Sequence, residues 1–471
     1  MKINRKNYLD KVKACWMGKN IGGTMGMPYE GCRNMVELTG FKSAEMLPND
    51  DLDLQLVWLC AVEENGINKI TPAILGEYWL NYVVPHWNEY GICKANMRMG
   101  CQPPYSGEYE NEKWKNSNGA WIRTELWACL FPGVPELAVK YAFMDACVDH
   151  GMGEGTYGAM FVAALESEAF YEKDIRVLIE KALKFIPETS RVGRSVKLAI
   201  EMYDKKATLE EARNAIVNDS ADLGWFQAPG NITFVVLGLL YGEGDYKKSM
   251  ISAISCGDDT DCTGATIGSI MGIMNGMECV PGDWSEFIGD KIVSEAVDVA
   301  YRSLPKAVSE LTERVYQLVP AVMKDNRIFA EFTDEDVTEK AVFPEVVRKY
   351  DHQLPRTGLC MYFPEFTYVR ARVEFDKSKI RPGETVTFKI IAKNVLEDQK
   401  QLIISTIVPE GWSVDKAETS MFLHRTMRVP ATETEITVTA GENISAVNKI
   451  RFVLNCPWRH SESCLSVPIF G

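Results

Sequence analysis

Glycine recurs at every fourth residue in two distant parts of the chain, at Gly18, Gly22 and Gly26 and again at Gly264, Gly268, Gly272 and Gly276. In a helix, that spacing lays a stripe without side chains along one face. Each interior glycine costs a helix about 1 kcal/mol relative to alanine. A series of them is stable only where a neighbouring backbone approaches closely. The stripes therefore predict two helices packed at short range, and leave open whether they pack against each other. Close packing also fixes in space whatever the helix ends carry.

The rest of the chain separates into two grammars. Residues 1–345 read as mostly helical, with 3.6-residue periodicity at Leu9–Met17, Leu52–Glu64, Pro72–Val83, Glu136–Cys147, Gly158–Phe170 and Val192–Met202. It returns at Leu209–Val217, Thr233–Tyr241, Tyr246–Ser255, Thr263–Asn275 and Ile292–Ser303. One long stretch, about Pro85 to Asn118, reads as a non-helical insertion carrying Trp87, Tyr90, Tyr105, Tyr109 and Trp114; a loop of that length and aromatic content suggests function. A linker at 346–365 follows. From Phe366 to the end, alternating runs such as Val369–Phe375, Thr385–Lys393 and Ile450–Leu454 are separated by turns, the pattern of a small antiparallel β-sandwich. The expected fold is thus multidomain, all-α and then β, and the sandwich gathers no titratable cluster of its own.

Composition limits the function. A length of 471 residues calls for two or three domains, and 46% hydrophobic with 25% charged residues fits a globular chain. A net charge of −14 would repel a phosphate backbone, so nucleic acid is an unsuitable partner. No apolar segment reaches the roughly 18 residues of a membrane span, and the charged N-terminus does not read as a signal peptide. Thirteen dispersed cysteines, an odd number, fit free thiols in the cytoplasm better than a disulfide framework.

Three aspartates crowd each of two helix starts. Asp50, Asp51 and Asp53 follow the turn Leu47-Pro48-Asn49, and Asp258, Asp259 and Asp261 directly precede the second glycine stripe. Capping explains one aspartate at a helix N-terminus but not three. If the clusters converge, two carboxylates about 4 Å apart repel by roughly 4 kcal/mol at an effective dielectric near 20. A cation relieves that repulsion, and oxygen donors without His or Cys pairs select Mg²⁺, Mn²⁺ or Ca²⁺ over zinc. The alternative is two separate, over-capped helix starts. A terpene-synthase reading of Asp-Asp-Leu-Asp fails because Leu54 occupies the place where the next aspartate belongs.

The ordered segments Gly18…Gly22-Gly23…Gly26-Met27-Pro28-Tyr29-Glu30, Asn49-Asp50-Asp51, Asn118-Gly119-Ala120-Trp121-Ile122-Arg123 and Gly257-Asp258-Asp259-Thr260-Asp261 resemble the ADP-ribosylglycohydrolase superfamily over about residues 8–280. The resemblance implies an all-α domain holding two Mg²⁺ ions beside a scissile glycosidic bond. By position, Asp50 and Asp51 match the family's paired metal aspartates, and Asp259 and Asp261 match its second metal pair. Asn49 and Cys262 stand at positions where threonine ligands are expected, and Leu52 replaces another threonine and cannot coordinate. Glu30 falls where some members place a glutamate on metal or on the attacking water. It leads the candidates for general base, followed by Asp258 and Glu154. His150, Asn118, Gly119, Arg123, Trp87, Trp114 and Tyr105 are candidate substrate contacts, with Asn118 and Arg123 more structural than catalytic. His150 also reads as a hydrogen-bonded group at a helix end, and Glu154 as an ordinary first-turn acid.

Two substrate readings follow: an ADP-ribosyl conjugate, and a glycoside or nucleoside lacking the diphosphate. A catalytically silent, metal-stabilised binding protein is the rival of another class. Homo-oligomerisation is compatible with the appended sandwich.

Overall fold

The computed structural model describes residues 1–301, 303–337, 354–366, 368–396, 398–425, 429 and 431–471. The expected 345/346 boundary and residues 346–353 of the expected linker lie outside the described residues.

The two glycine stripes meet each other. The helix Arg5–Gly26 runs antiparallel to the helix Thr260–Asn275. A Cβ placed on Gly18 would come 2.2 Å from the Gly268 carbonyl oxygen, and one on Gly268 would come 2.2 Å from that of Gly18. Gly22 faces Gly264 in the same way, Gly26 faces Thr260, and Gly272 faces Ala14. No side chain separates the two backbones along this seam. The fourth glycine of the second stripe has another role: Gly276, at φ 76°, lies beyond the helix and ends it, its N–H donating to the Gly272 carbonyl.

The antiparallel arrangement has a direct consequence. The C-terminal end of the first helix, with Glu30 just beyond it, lies beside the start of the second, where Asp259 and Asp261 sit. The third participant is the helix Asp50–Asn65. It is started by Asn49, whose side-chain oxygen accepts the Asp51 N–H at 2.7 Å.

Around these three helices the remaining helical elements close one continuous apolar core, in which Trp16, Trp58, Trp79, Trp121 and Trp127 are fully buried. Two stretches differ from the expectation. The Pro85–Asn118 segment is partly helical, with Asn88–Met99 and the short helix Tyr105–Glu108. The described residues of 292–303 are not helical. There Val297 forms an isolated bridge with Val83, and the Glu295 and Ala296 N–H groups each donate to Asp53 Oδ2 at 2.7 Å. Those tertiary bonds take the donors that a helix would have used. The C-terminal helix Val308–Asp325 carries an interior Pro320.

The C-terminal region is a sandwich of two antiparallel sheets. One runs Glu462–Phe470, Val447–Asn455, Lys400–Ile407, Glu418–Leu423; the other runs Cys360–Tyr362, Val369–Phe375, Thr385–Asn394, Thr432–Thr439, Ser413–Val414. Inward side chains alternate, and Phe388 meets Phe452 between the sheets with ring centroids 5.1 Å apart. The sandwich rests on the helical part through Tyr105 against Phe375 and Tyr109 stacked on Phe470. All thirteen cysteines are free thiols. Among the described residues, no helix is long and apolar enough to cross a membrane.

The seam makes a prediction by contrast. Gly230 lies within the helix Ala228–Gly242 with open space at its Cβ position. Gly230→Ala is expected to stabilise the protein by about 0.4–1 kcal/mol. Gly268→Ala, which must push two backbones apart, is expected to destabilise it by about 1–3 kcal/mol. Urea unfolding of the two variants reads both signs.

Candidate active site

The helix starts bring two groups of donor atoms together. One oxygen each from Asp51 and Asp261 lies with the Cys262 sulfur inside a group whose atoms are all within 4.8 Å of one another. Glu30, Asp259 and Asp261 form a second such group. Asp261 belongs to both, so the groups are contiguous. Asp50 lines the same cavity.

These carboxylates are short of partners. Both oxygens of Asp51, and Oδ1 of Asp259 and of Asp261, are buried without a hydrogen bond. Asn118 Nδ2 donates to the remaining oxygen of Asp259 at 2.5 Å. Orphaned buried acceptors in such number are unusual. Lys19 is a nearby cation, but its Nζ is held by Glu125 Oε1 at 2.5 Å. The pKa values record the crowding. Burial, then the charges of Asp261 and Glu125, push Asp51 up to about 8 even though Lys19 pulls the other way. Burial with Asp51 and Asp261 holds Asp50 well above the ordinary range, and burial with Asp261 and Glu30 does the same for Asp259. Glu30 stands at the rim, exposed on its outer side. Partial burial, Asp261 and Glu295 push it up to about 7. Contiguous oxygen donors, unsatisfied and mutually repelling, fit hard divalent cations. Cys262 fits less well: burial and the surrounding aspartates push its thiol far up, so it sits there as a neutral S–H. Asn49 has its side-chain oxygen committed to the helix cap, and Leu52 is turned into the core.

The remaining aspartate of each cluster is committed elsewhere. Asp53 clamps the 295–296 backbone, which brings Glu295 to the cavity wall. Asp258, at φ 60°, faces away from the cavity and pairs with Arg33 Nε at 3.3 Å and Arg213 at 3.7 Å. Its carboxylate is occupied there and does not border the cavity, contrary to its place among the candidate bases. Glu154 is likewise removed from the cavity, accepting the Arg191 and Val192 N–H groups at 2.9 Å each at the start of the helix Arg191–Asp204.

The cavity beside the carboxylates has a volume of about 600 Å³. Of the candidate substrate contacts, Trp87, Trp114, Asn118 and Gly119 line it. Arg123 does not: it is fully buried, with Nε 2.9 Å from Asp145 and Nη2 2.7 Å from Asp149. His150 is wholly buried behind the wall. Tyr105 belongs to the core of the sandwich. The aromatic segment is thus divided, with Trp87, Tyr90 and Trp114 on the cavity and Tyr105 and Tyr109 under the sandwich. The sequence reading missed Glu89, Lys113, Trp225, Phe226, Gln227 and Glu295, all of which line the cavity. Trp225 and Phe226 lie edge to face at 5.2 Å, and Phe226 meets Trp114 at 6.1 Å. The Gly-Trp-Phe-Gln segment just before the helix Ala228–Gly242 is their visible sign.

Residues 4–320 match the family model described as ADP-ribosylglycohydrolase. The chain belongs to the ADP-ribosylglycohydrolase family. Members of this family are hydrolases and typically metal-dependent, in keeping with the donor set. A solved structure described as an "ADP-ribosylglycohydrolase-related protein complex" is 18% identical over 67% of this chain and 99% of that one, with a TM-score of 0.44. No curated protein matches the chain.

Two outcomes follow from an ADP-ribosylglycohydrolase site with this charge balance. Asp261→Asn removes a charge shared by both donor groups. It is expected to raise the melting temperature of the metal-free protein and to abolish the further rise on adding Mg²⁺, both read by differential scanning fluorimetry. Asp51, moved up from an ordinary 3.8 to about 8, keeps its proton when folded and loses it when unfolded in the interval between. Its stabilising contribution is complete below pH ~4 and is lost as the pH rises through the folded value. The metal-free protein should therefore weaken across that window, and Asp51→Asn should flatten the slope.

Proposed function

We propose that the chain hydrolyses a glycosidic bond beside a pair of Mg²⁺ ions held by Asp50, Asp51, Asp259 and Asp261, with Mn²⁺ or Ca²⁺ as substitutes. The observation that carries this reading is the meeting of unsatisfied carboxylates at a cavity large enough for a sugar. When bound, such ions supply Lewis acidity toward vicinal sugar hydroxyls and a water molecule.

The chain's own residues supply the remainder. Glycoside cleavage passes through an oxocarbenium-like state, which a wall of carboxylates favours by its charge. Glu30, solvent-accessible at the rim, is placed to take a proton from the attacking water. Asn118 fixes Asp259 while its own oxygen accepts the Trp121 Nε1–H at 3.0 Å. Aromatic faces suit the apolar faces of a sugar ring and exclude water from it.

The wall also bears on the choice of substrate. Once the aspartates are taken up by the ions, Lys113 is the single cationic side chain among the lining residues and faces the carboxyls of Glu30 and Glu295, with no arginine on the wall. That balance is adverse to a diphosphate, and it favours an uncharged glycoside or a nucleoside over an ADP-ribosyl conjugate.

With Mg²⁺, the purified protein is expected to release sugar from neutral glycosides or nucleosides faster than ADP-ribose from ADP-ribosyl-arginine. Chelation should abolish the activity, and Glu30→Gln should lower kcat by about 10²–10⁴-fold. A melting-temperature rise with Mg²⁺ but no turnover of any glycoside would sink the hydrolase reading and favour the silent binding protein.

A further inference from the structure

Glu89 lies in the first turn of the helix Asn88–Met99 and borders the cavity, yet it is 2% exposed. Its Oε2 has no hydrogen-bond partner. The backbone is shaped around it: a Cβ on Gly119 would come 2.4 Å from Glu89 Oε1. A carboxyl pressed into a glycine-shaped recess against the cavity, grouped with Asp149 and His150 and separate from the groups around Asp261, needs its own explanation.

Behind Glu89 stands a chain of polar groups that none of the preceding chemistry uses. His150 Nε2 is 3.9 Å from Glu89 Oε1 and 3.2 Å from the Ser117 hydroxyl. Ser117 donates to the Trp114 carbonyl at 2.6 Å and its hydroxyl also bonds the Glu89 carboxyl. The other ring nitrogen lies 3.0 Å from Asp149 Oδ1. Asp149 is in turn held by Arg123, which also binds Asp145. His150 has its own recess, since a Cβ on Gly155 would run into its ring. The imidazole closes the helix Pro135–His150. In this buried set three carboxyls, Glu89, Asp145 and Asp149, face the one guanidinium of Arg123, so the set holds protons as well as charges, and the acid that meets the cavity is Glu89.

We propose that Glu89 is the general acid of the reaction, donating its proton to the leaving group, with His150 and Asp149 as the positioning residues that hold it. The proposal rests on the glycoside-hydrolase reading above. As the bond between C1 and the leaving oxygen or nitrogen breaks, its electron pair goes to that atom, which takes the Glu89 proton. The water that adds at C1 gives its proton to Glu30, and solvent returns a proton to Glu89 between turnovers. The position of the equilibrium agrees with this role: burial first, and Asp149 after it, raise the Glu89 carboxyl above its ordinary value, while His150 draws it back down.

The test compares leaving groups. Paired 4-nitrophenyl and methyl glycosides of pentoses and hexoses with vicinal hydroxyls are assayed with wild type and Glu89→Gln, both loaded with Mg²⁺. A nitrophenolate departs without protonation; an alkoxide does not. Glu89→Gln is expected to lower kcat/KM on methyl glycosides by about 10²–10⁴-fold and on nitrophenyl glycosides by less than about tenfold. Equal losses on both, or no loss on either, overturn the proposal and leave the hydrolase reading standing. A wild type inactive on the whole panel overturns both. Should Glu89→Gln fail to fold, His150→Gln decides. The general acid works protonated, so activity falls as pH passes above its pKa. Removing the group that draws this pKa down is expected to move the basic limb of the kcat/KM profile to higher pH, and an unmoved limb overturns the proposal.

Discussion

Two helices that touch backbone to backbone hold this molecule's chemistry in place. The Arg5–Gly26 and Thr260–Asn275 helices meet along glycine, so their separation is set by main-chain atoms and no rotamer change can alter it. The antiparallel direction then places the end of one beside the start of the other, and carboxylates more than two hundred residues apart in sequence come within 4.8 Å. Left as flexible surface groups they would swing apart to relieve their repulsion. The seam denies them that escape, and the unsatisfied oxygens of Asp51, Asp259 and Asp261 are the outcome.

Each aspartate triplet divides its labour, and the division follows helix geometry. Around Asp51 and Asp261, residues on the inward side of the first turn crowd the cavity. Asp53 and Asp258 point elsewhere and tie down loops, one at Glu295 and the other through Arg33 and Arg213. A cluster that looks uniform in sequence is part donor set and part scaffold.

Much of this was legible in the chain, and the reasons for the failures are physical. The stripes and the change from period 3.6 to period 2 are local patterns with one mechanical reading each, whereas the acidic helix starts carry two, convergence or separate over-capping. That the stripes meet each other was not legible, because a glycine face specifies a close neighbour without naming it. Ile292–Ser303 has helical periodicity, but Asp53 and Val83 compete for its backbone and win. Glu89 carries no motif at all. Its meaning comes from Gly119, Ser117 and His150, which only the fold assembles. His150 and Arg123 stand out in the sequence, and both are buried one layer behind the wall.

The aromatic segment between Pro85 and Asn118 has two faces. Trp87, Tyr90 and Trp114 front the cavity, while Tyr105 and Tyr109 are gripped by Phe375 and Phe470 of the sandwich. The C-terminal region therefore buttresses the recognition wall from behind while the carboxylate seam is braced independently by the glycine helices. A change at Phe375 or Phe470 reaches the cavity's aromatic side through Tyr105 and Tyr109 and leaves the glycine seam, with the carboxylates it holds, where it is.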